Sequence, residues 1–140
     1  MNTEDIFKNI KDILLKRFNL NAIILFGSYA RGKQKYDSDI DIAIKPIAKI
    51  DKEELVAVKN DLEKTIKIDI HLINLDEINA DFRYEILLTG KTLFCKDEYE
   101  LEMYKLKKYS DYLLFSEDRK VIIDKVKEGG TLYGEWVSNI

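Results

Sequence analysis

The chain has 140 residues, 35 % of them charged, and a formal net charge of −3, which is the size of one domain able to bury a core without disulfides or a structural metal. One cysteine, Cys95, and one histidine, His71, exclude an internal disulfide framework and any multi-cysteine or multi-histidine zinc site, and fit a reducing compartment. The mildly acidic balance argues against broad attraction to nucleic acid or anionic membrane. MNTEDIFKNIKD lacks the basic start and apolar core of a signal peptide, and no apolar run approaches the roughly 18 residues of a span, so a soluble, cytoplasmic protein is expected.

In chain order, Ile6, Phe7, Ile10, Ile13, Leu14 and Phe18 keep a helical period behind Thr3, which suits an N-cap, so the first element is an amphipathic helix. The apolar run from Ala22 to Phe26, bounded by Asn21 and Gly27, reads as a buried strand. Gly27 marks a sharp turn or a close approach to a ligand. Residues 28–38 are polar and contain Arg31, Lys33 and Lys35, with Gly32 able to take a positive φ; a loop or a short helix opening at Ser28 fits. Lys33 and Lys35 are expected to face solvent.

Residues 39–44 form the second strand, ended by Pro46 and the loop after it. Asp51, with Glu54 three residues on, caps a helix over 52–65 whose buried face is Leu55, Val58 and Leu62, with Ile66 a candidate for the same face. Residues 66–73 alternate as a strand, with Ile66, Ile68, Ile70 and Leu72 on one face and Lys67, Asp69, His71 and Ile73 on the other. Asp76 is expected to cap a helix to Thr89, buried through Phe82, Ile86 and Leu87, with Gly90 at C′ and a brief strand from Thr92 to Phe94. Cys95 reads as a small apolar filler.

Beyond Asp97 the pattern changes. Tyr99, Met103, Leu106, Tyr109 and Leu113 form a stripe that Leu101, Tyr104, Tyr112 and Phe115 broaden, so this helix lies on the sheet or is shared with a partner chain. Helical spacing and acidic neighbours favour core or subunit contact for these tyrosines over stacking on nucleic acid. Val121, Ile122, Ile123 and Val126 suggest another helix or a continuation, and the final GTLYGEWVSNI a tail that docks on the body or on a partner. The expected division is a core over 1–96 and a C-terminal helical extension over 97–140.

Asp39 and Asp41 stand on one strand face about 6 to 7 Å apart, while Ile40, Ile42 and Ile44 point into a core. Two like charges so held call for a neutralising cation, and Mg2+ is the expected one. Asp69 is presented in the same way on the next strand, and consecutive elements are usually neighbours. Three carboxylates after a glycine-serine turn and a basic loop suit metal-dependent phosphoryl or nucleotidyl transfer. Asp39 and Asp41 would hold one or two ions, and Asp69 would help the attacking hydroxyl lose its proton. The Gly27 and Ser28 amides would hold terminal phosphates. Arg31 would either neutralise pyrophosphate or pair with a site carboxylate. A lone histidine such as His71 is more often structural or exposed, although it shares the face of Asp69.

Residues 27–44, GSYARGKQKYDSDIDIAI, resemble the signature of the DNA polymerase beta superfamily of nucleotidyltransferases: Gly-Ser, then Arg-Gly, then Ser-Asp-x-Asp. The chain is similar in particular to its minimal nucleotidyltransferases, small proteins often paired with a helical HEPN ribonuclease toxin, over roughly residues 4–95. The resemblance implies an α/β nucleotidyltransferase fold, a small mixed sheet with helices packed on it. It implies phosphate contacts at Gly27 and Ser28, Asp39, Asp41 and Asp69 as the metal carboxylates, two Mg2+ ions and ATP as donor. FRYEILLTGKTLF, residues 82–94, resembles the helix and final strand of these proteins, Gly90 included. Some members are similar to an antitoxin that transfers AMP from ATP to a tyrosine of its partner toxin. The expected function is therefore such an adenylyltransferase. Alternatives are an inactive antitoxin that works by occlusion and a small-molecule nucleotidyltransferase of aminoglycoside type. The region from Tyr99 onward matches no motif, and through it the chain is expected to meet its partner or a second copy.

Overall fold

The structure, a computed structural model, describes residues 2–115. Helix α1 (Thr3–Arg17) leads into strand β1 (Leu20–Phe26) and a single helical turn, α2 (Gly27–Ala30). Strand β2 (Ile40–Pro46), helix α3 (Lys52–Ile66) and strand β3 (Ile70–Asn74) follow. A 3-10 turn (Leu75–Glu77), helix α4 (Ala80–Thr89), strand β4 (Lys91–Cys95) and helix α5 (Glu98–Phe115) complete the described chain.

The sheet order is β3-β2-β1-β4. The strand β1 runs antiparallel to both β2 and β4, and β2 and β3 are parallel. That one parallel pair needs a crossover, which α3 supplies. Every residue of β1 is buried, because helices cover both faces of the sheet. On one face Ile23, Leu25, Ile40, Ile42 and Ile44 meet Ile10 and Leu14 of α1 and Val58 and Leu62 of α3. On the other, Ala22, Ile24, Phe26, Ala43 and Ile73 meet Ile86 of α4 and Leu101 of α5. The alternation expected of Ile40, Ile42 and Ile44 is complete: each is fully buried.

Several boundaries differ from expectation. Asn2, not Thr3, caps α1, its side-chain oxygen accepting from the Asp5 amide at 2.9 Å. Asp51 occupies the N-cap position of α3 but makes no side-chain capping bond. This helix continues through Ile66, because Val58, Leu62 and Ile66 recur every four residues on its buried face. Lys67 then turns the chain in the left-handed region at φ 63, so Ile66 and Ile68 are not strand residues. The Glu63 carboxylate accepts from the Ile70 amide at 2.9 Å and closes that turn.

Asp76 does not cap α4. Asn79 does, accepting from the Phe82 amide at 2.8 Å, whereas Asp76 belongs to the 3-10 turn. Gly90 ends α4 with φ −72, outside the left-handed region. Its missing side chain has another cause: a Cβ there would overlap Ile24 and the Ile86 carbonyl. On α5 the stripe begins on the wrong side. Tyr99 is 70 % and Met103 46 % exposed, while Leu101 and Tyr109 are buried. The reason is α4, whose Tyr84 stacks on Tyr112 with ring centroids 4.4 Å apart and also contacts Tyr109. The expected elements beyond Phe115 lie outside the described residues. No described helix is long and apolar enough to cross a membrane.

Candidate active site

At one end of the sheet β1 runs out into Gly27, and β2 and β3 begin. The antiparallel register sets Asp41 opposite Phe26, and the parallel register sets it beside His71. Gly27 has φ +72, which L side chains rarely adopt, and a Cβ on it would overlap the Asp41 carboxylate. Turn and carboxylate are thus in direct contact, which is why glycine stands at this position. The helical turn opens at Gly27 itself, one residue before the expected Ser28.

Asp39 and Asp69 both lie just outside their strands, each one residue before the first ladder position. The Ile40 amide donates to the Asp69 carbonyl at 3.0 Å, so the two acidic residues start neighbouring strands side by side. Both are exposed, while Asp41 is half-buried. Burial pushes the Asp41 carboxyl above the usual carboxylate range, opposed by His71 and Arg31 and reinforced by the charge of Asp39. The His71 Nδ1 lies 3.2 Å from Asp41 Oδ1, within hydrogen-bond distance. Arg31 is exposed on the loop after α2, and Ser28, on α2, is half-exposed.

A cavity of about 90 Å³ lies behind Gly27, lined by Phe26, Ala30, Arg31, Phe82 and Glu85. Phe82 meets Phe26 edge-on with ring centroids 5.6 Å apart, so α4 forms one wall of the site. Among the described residues no group of three or more His, Cys, Asp or Glu side chains is placed to hold a metal ion, so Asp69 does not join Asp39 and Asp41 in such a group. Mg2+ does not require one, since it takes one or two protein carboxylates and completes its shell with phosphate oxygens and water. Asp39 and Asp41 fit that role: they share an end of one strand, and the like charge and burial at Asp41 are the costs a bound cation relieves.

The contact of His71 with Asp41 was not evident from sequence. Strand alternation set His71 on the face of Asp69, but only the β2–β3 register aligns residue 71 with residue 41. Phe82, which the helical period places in the core, also walls the cavity.

Residues 8–99 match the family described as polymerase beta, nucleotidyltransferase. Over 126 residues the chain is 29 % identical to the protein adenylyltransferase MntA of Shewanella oneidensis, spanning 90 % of this chain and 88 % of that protein. A chain in the crystal structure of a toxin-antitoxin with AMP-PNP superposes with a TM-score of 0.76 at 28 % identity, covering 86 % of this chain and 98 % of that one. A chain in the structure of a tri-AMPylated Shewanella oneidensis HEPN toxin in complex with MNT antitoxin gives 0.71 at 25 % identity, covering 89 % and 98 %. With the family model spanning most of the chain, the chain belongs to the polymerase beta nucleotidyltransferase family.

Proposed function

We propose that the protein is a Mg2+-dependent adenylyltransferase that moves AMP from ATP to a tyrosine hydroxyl of a HEPN-type toxin and so acts as its antitoxin. The observation that carries this is the contact of Gly27 with the Asp41 carboxylate, which sets the turn that would bind phosphate against one of the two carboxylates that would bind the metal. The similarity to MntA over nearly the whole of both chains supports the acceptor class. ATP as donor accords with the presence of AMP-PNP in the toxin-antitoxin crystal structure that one relative belongs to.

Bound Mg2+, one ion or two, would supply charge neutralisation on the triphosphate and a more acidic acceptor hydroxyl. Asp39 and Asp41 would hold it. The Gly27 and Ser28 amides and the Ser28 hydroxyl would orient the terminal phosphates, and Arg31 would offset charge on the departing pyrophosphate. The acceptor oxygen attacks the α-phosphorus, the bond to the bridging oxygen breaks, and pyrophosphate leaves. Asp69, at the start of the strand beside Asp39, would take the hydroxyl proton. The reaction would take place in the cytoplasm, where ATP is supplied. Residues 97–140 would form an extension that meets the partner, with the core over 1–96.

Incubation with labelled ATP, Mg2+ and the HEPN-type protein encoded beside it tests this. Label on a toxin tyrosine, lost with the double variant Asp39→Asn and Asp41→Asn, is the expected result. Undiminished toxin inhibition by that variant would establish occlusion instead, and labelling of a small molecule without any protein partner would reassign the acceptor.

A further inference from the structure

We infer that His71 is the positioning residue of the Asp41 carboxylate, setting the orientation in which Asp41 binds the metal ion. This rests on Asp39 and Asp41 being the metal carboxylates. The terminal torsion of an aspartate is broad, so contacts rather than rotamer preference decide where its oxygens point. At Asp41 the two oxygens meet different neighbours. Oδ2 lies against Gly27, where a Cβ would collide with it. Oδ1 accepts from His71 Nδ1 at 3.2 Å. One contact is steric and limits approach; the other is directional and selects an angle.

The bond also defines the histidine. An ionised carboxylate only accepts, so Nδ1 carries the hydrogen and, in the neutral ring, Nε2 keeps the lone pair. The ring is held in its turn. His71 lies against Phe26 with centroids 6.1 Å apart, and Phe26 is fixed edge-on by Phe82 of α4. The parallel register puts residues 41 and 71 side by side, so the bond spans one strand spacing. A chain of contacts therefore runs from α4 through Phe82, Phe26 and His71 to Asp41. The His71 side chain is 53 % exposed, so it can be exchanged without opening the core. Partners that hydrogen-bond metal-binding carboxylates commonly affect metal affinity by about 10- to 100-fold.

Mn2+ binding, counted by electron paramagnetic resonance in the presence of AMP-PNP, tests this with a readout other than turnover. His71→Phe keeps a ring against Phe26 but lacks the donor, and is expected to weaken Mn2+ binding about tenfold or more. His71→Asn, whose amide nitrogen can occupy the place of Nδ1, is expected to recover most of that loss, with melting temperatures close to wild type. Should His71→Phe melt early, His71→Ala set against His71→Asn makes the same comparison. Unchanged Mn2+ affinity in the donor-free variant, or equal weakness with and without the amide, would overturn the inference. In the same titration, wild-type affinity in Asp41→Asn would overturn the assignment of the carboxylate pair itself, whereas loss there with no effect at His71 would leave the pair standing and remove only the histidine.

Discussion

The two ends of the sheet, about 17 Å apart along β1 from Asn21 to Phe26, handle charge in opposite ways. The far end has the larger opening, a cleft of about 590 Å³ lined by Lys45, Ile47, Lys96, Met103, Tyr104 and Lys107. There Lys45 and Asp76 answer one another. Lys45 pairs with Asp76 at 3.3 Å and lies 5.0 Å from the Tyr104 ring centroid, and the Tyr104 hydroxyl donates to Asp76 at 3.1 Å. Burial pushes the Tyr104 hydroxyl well above its ordinary range, so it remains a donor. The near end has a cavity of only about 90 Å³, yet its central carboxylate is half-buried beside a second negative charge, with a raised pKa. Volume is therefore a poor guide to chemistry here. A charge left partly uncompensated, next to a turn where any Cβ would strike the carboxylate, is the better one.

Substitutions at the two ends should separate them cleanly. Asp41→Asn has the largest expected effect: AMP transfer falls about a thousandfold or more, since a metal site supplies several kcal/mol of transition-state stabilisation. Its melting temperature should stay level or rise, because the raised pKa means that burying the charged form opposes folding at neutral pH. A collapse of stability in a thermal melt would mark Asp41 as a structural residue like Asp76. Gly27→Ala comes next. The positive φ and the overlap with Asp41 should cost about 1 to 2 kcal/mol in denaturant unfolding and lower transfer by at least about tenfold. Wild-type behaviour would show that turn and carboxylate move independently. The smallest effect is at the far end. Tyr104→Phe should lose about 1 kcal/mol of stability with its bond to Asp76 and leave transfer unchanged in the labelled-ATP assay; a fall in transfer would join that cleft to the reaction.

Legibility followed the range of the interactions. The alternation of Ile40, Ile42 and Ile44 and the turn at Gly27 are local patterns, and both appear in the fold as expected. Caps were less legible. Asn2 and Asn79 cap α1 and α4 in place of Thr3 and Asp76, because several polar residues near a helix start are chemically equivalent until the incoming chain fixes their angle. The stripe on α5 held at Tyr109 and failed at Tyr99 and Met103 for a longer-range reason: which part of so wide an apolar face is covered is resolved only by the Tyr84 ring against which Tyr109 and Tyr112 pack.

By itself the sequence determined which chemical groups stand close along the chain: a glycine-serine turn, a basic loop, two aspartates two apart and a third in the next strand-like stretch. Such spacing is set by backbone geometry over a few residues, so it needs no knowledge of the rest of the chain. Only the tertiary structure decided which groups share one point. The β2–β3 register brings His71 to Asp41, and the β1–β2 register sets Phe26 opposite it. Register depends on the burial of whole strand faces against α1 and α3 on one side and α4 and α5 on the other, a property of the assembled core that no short stretch carries.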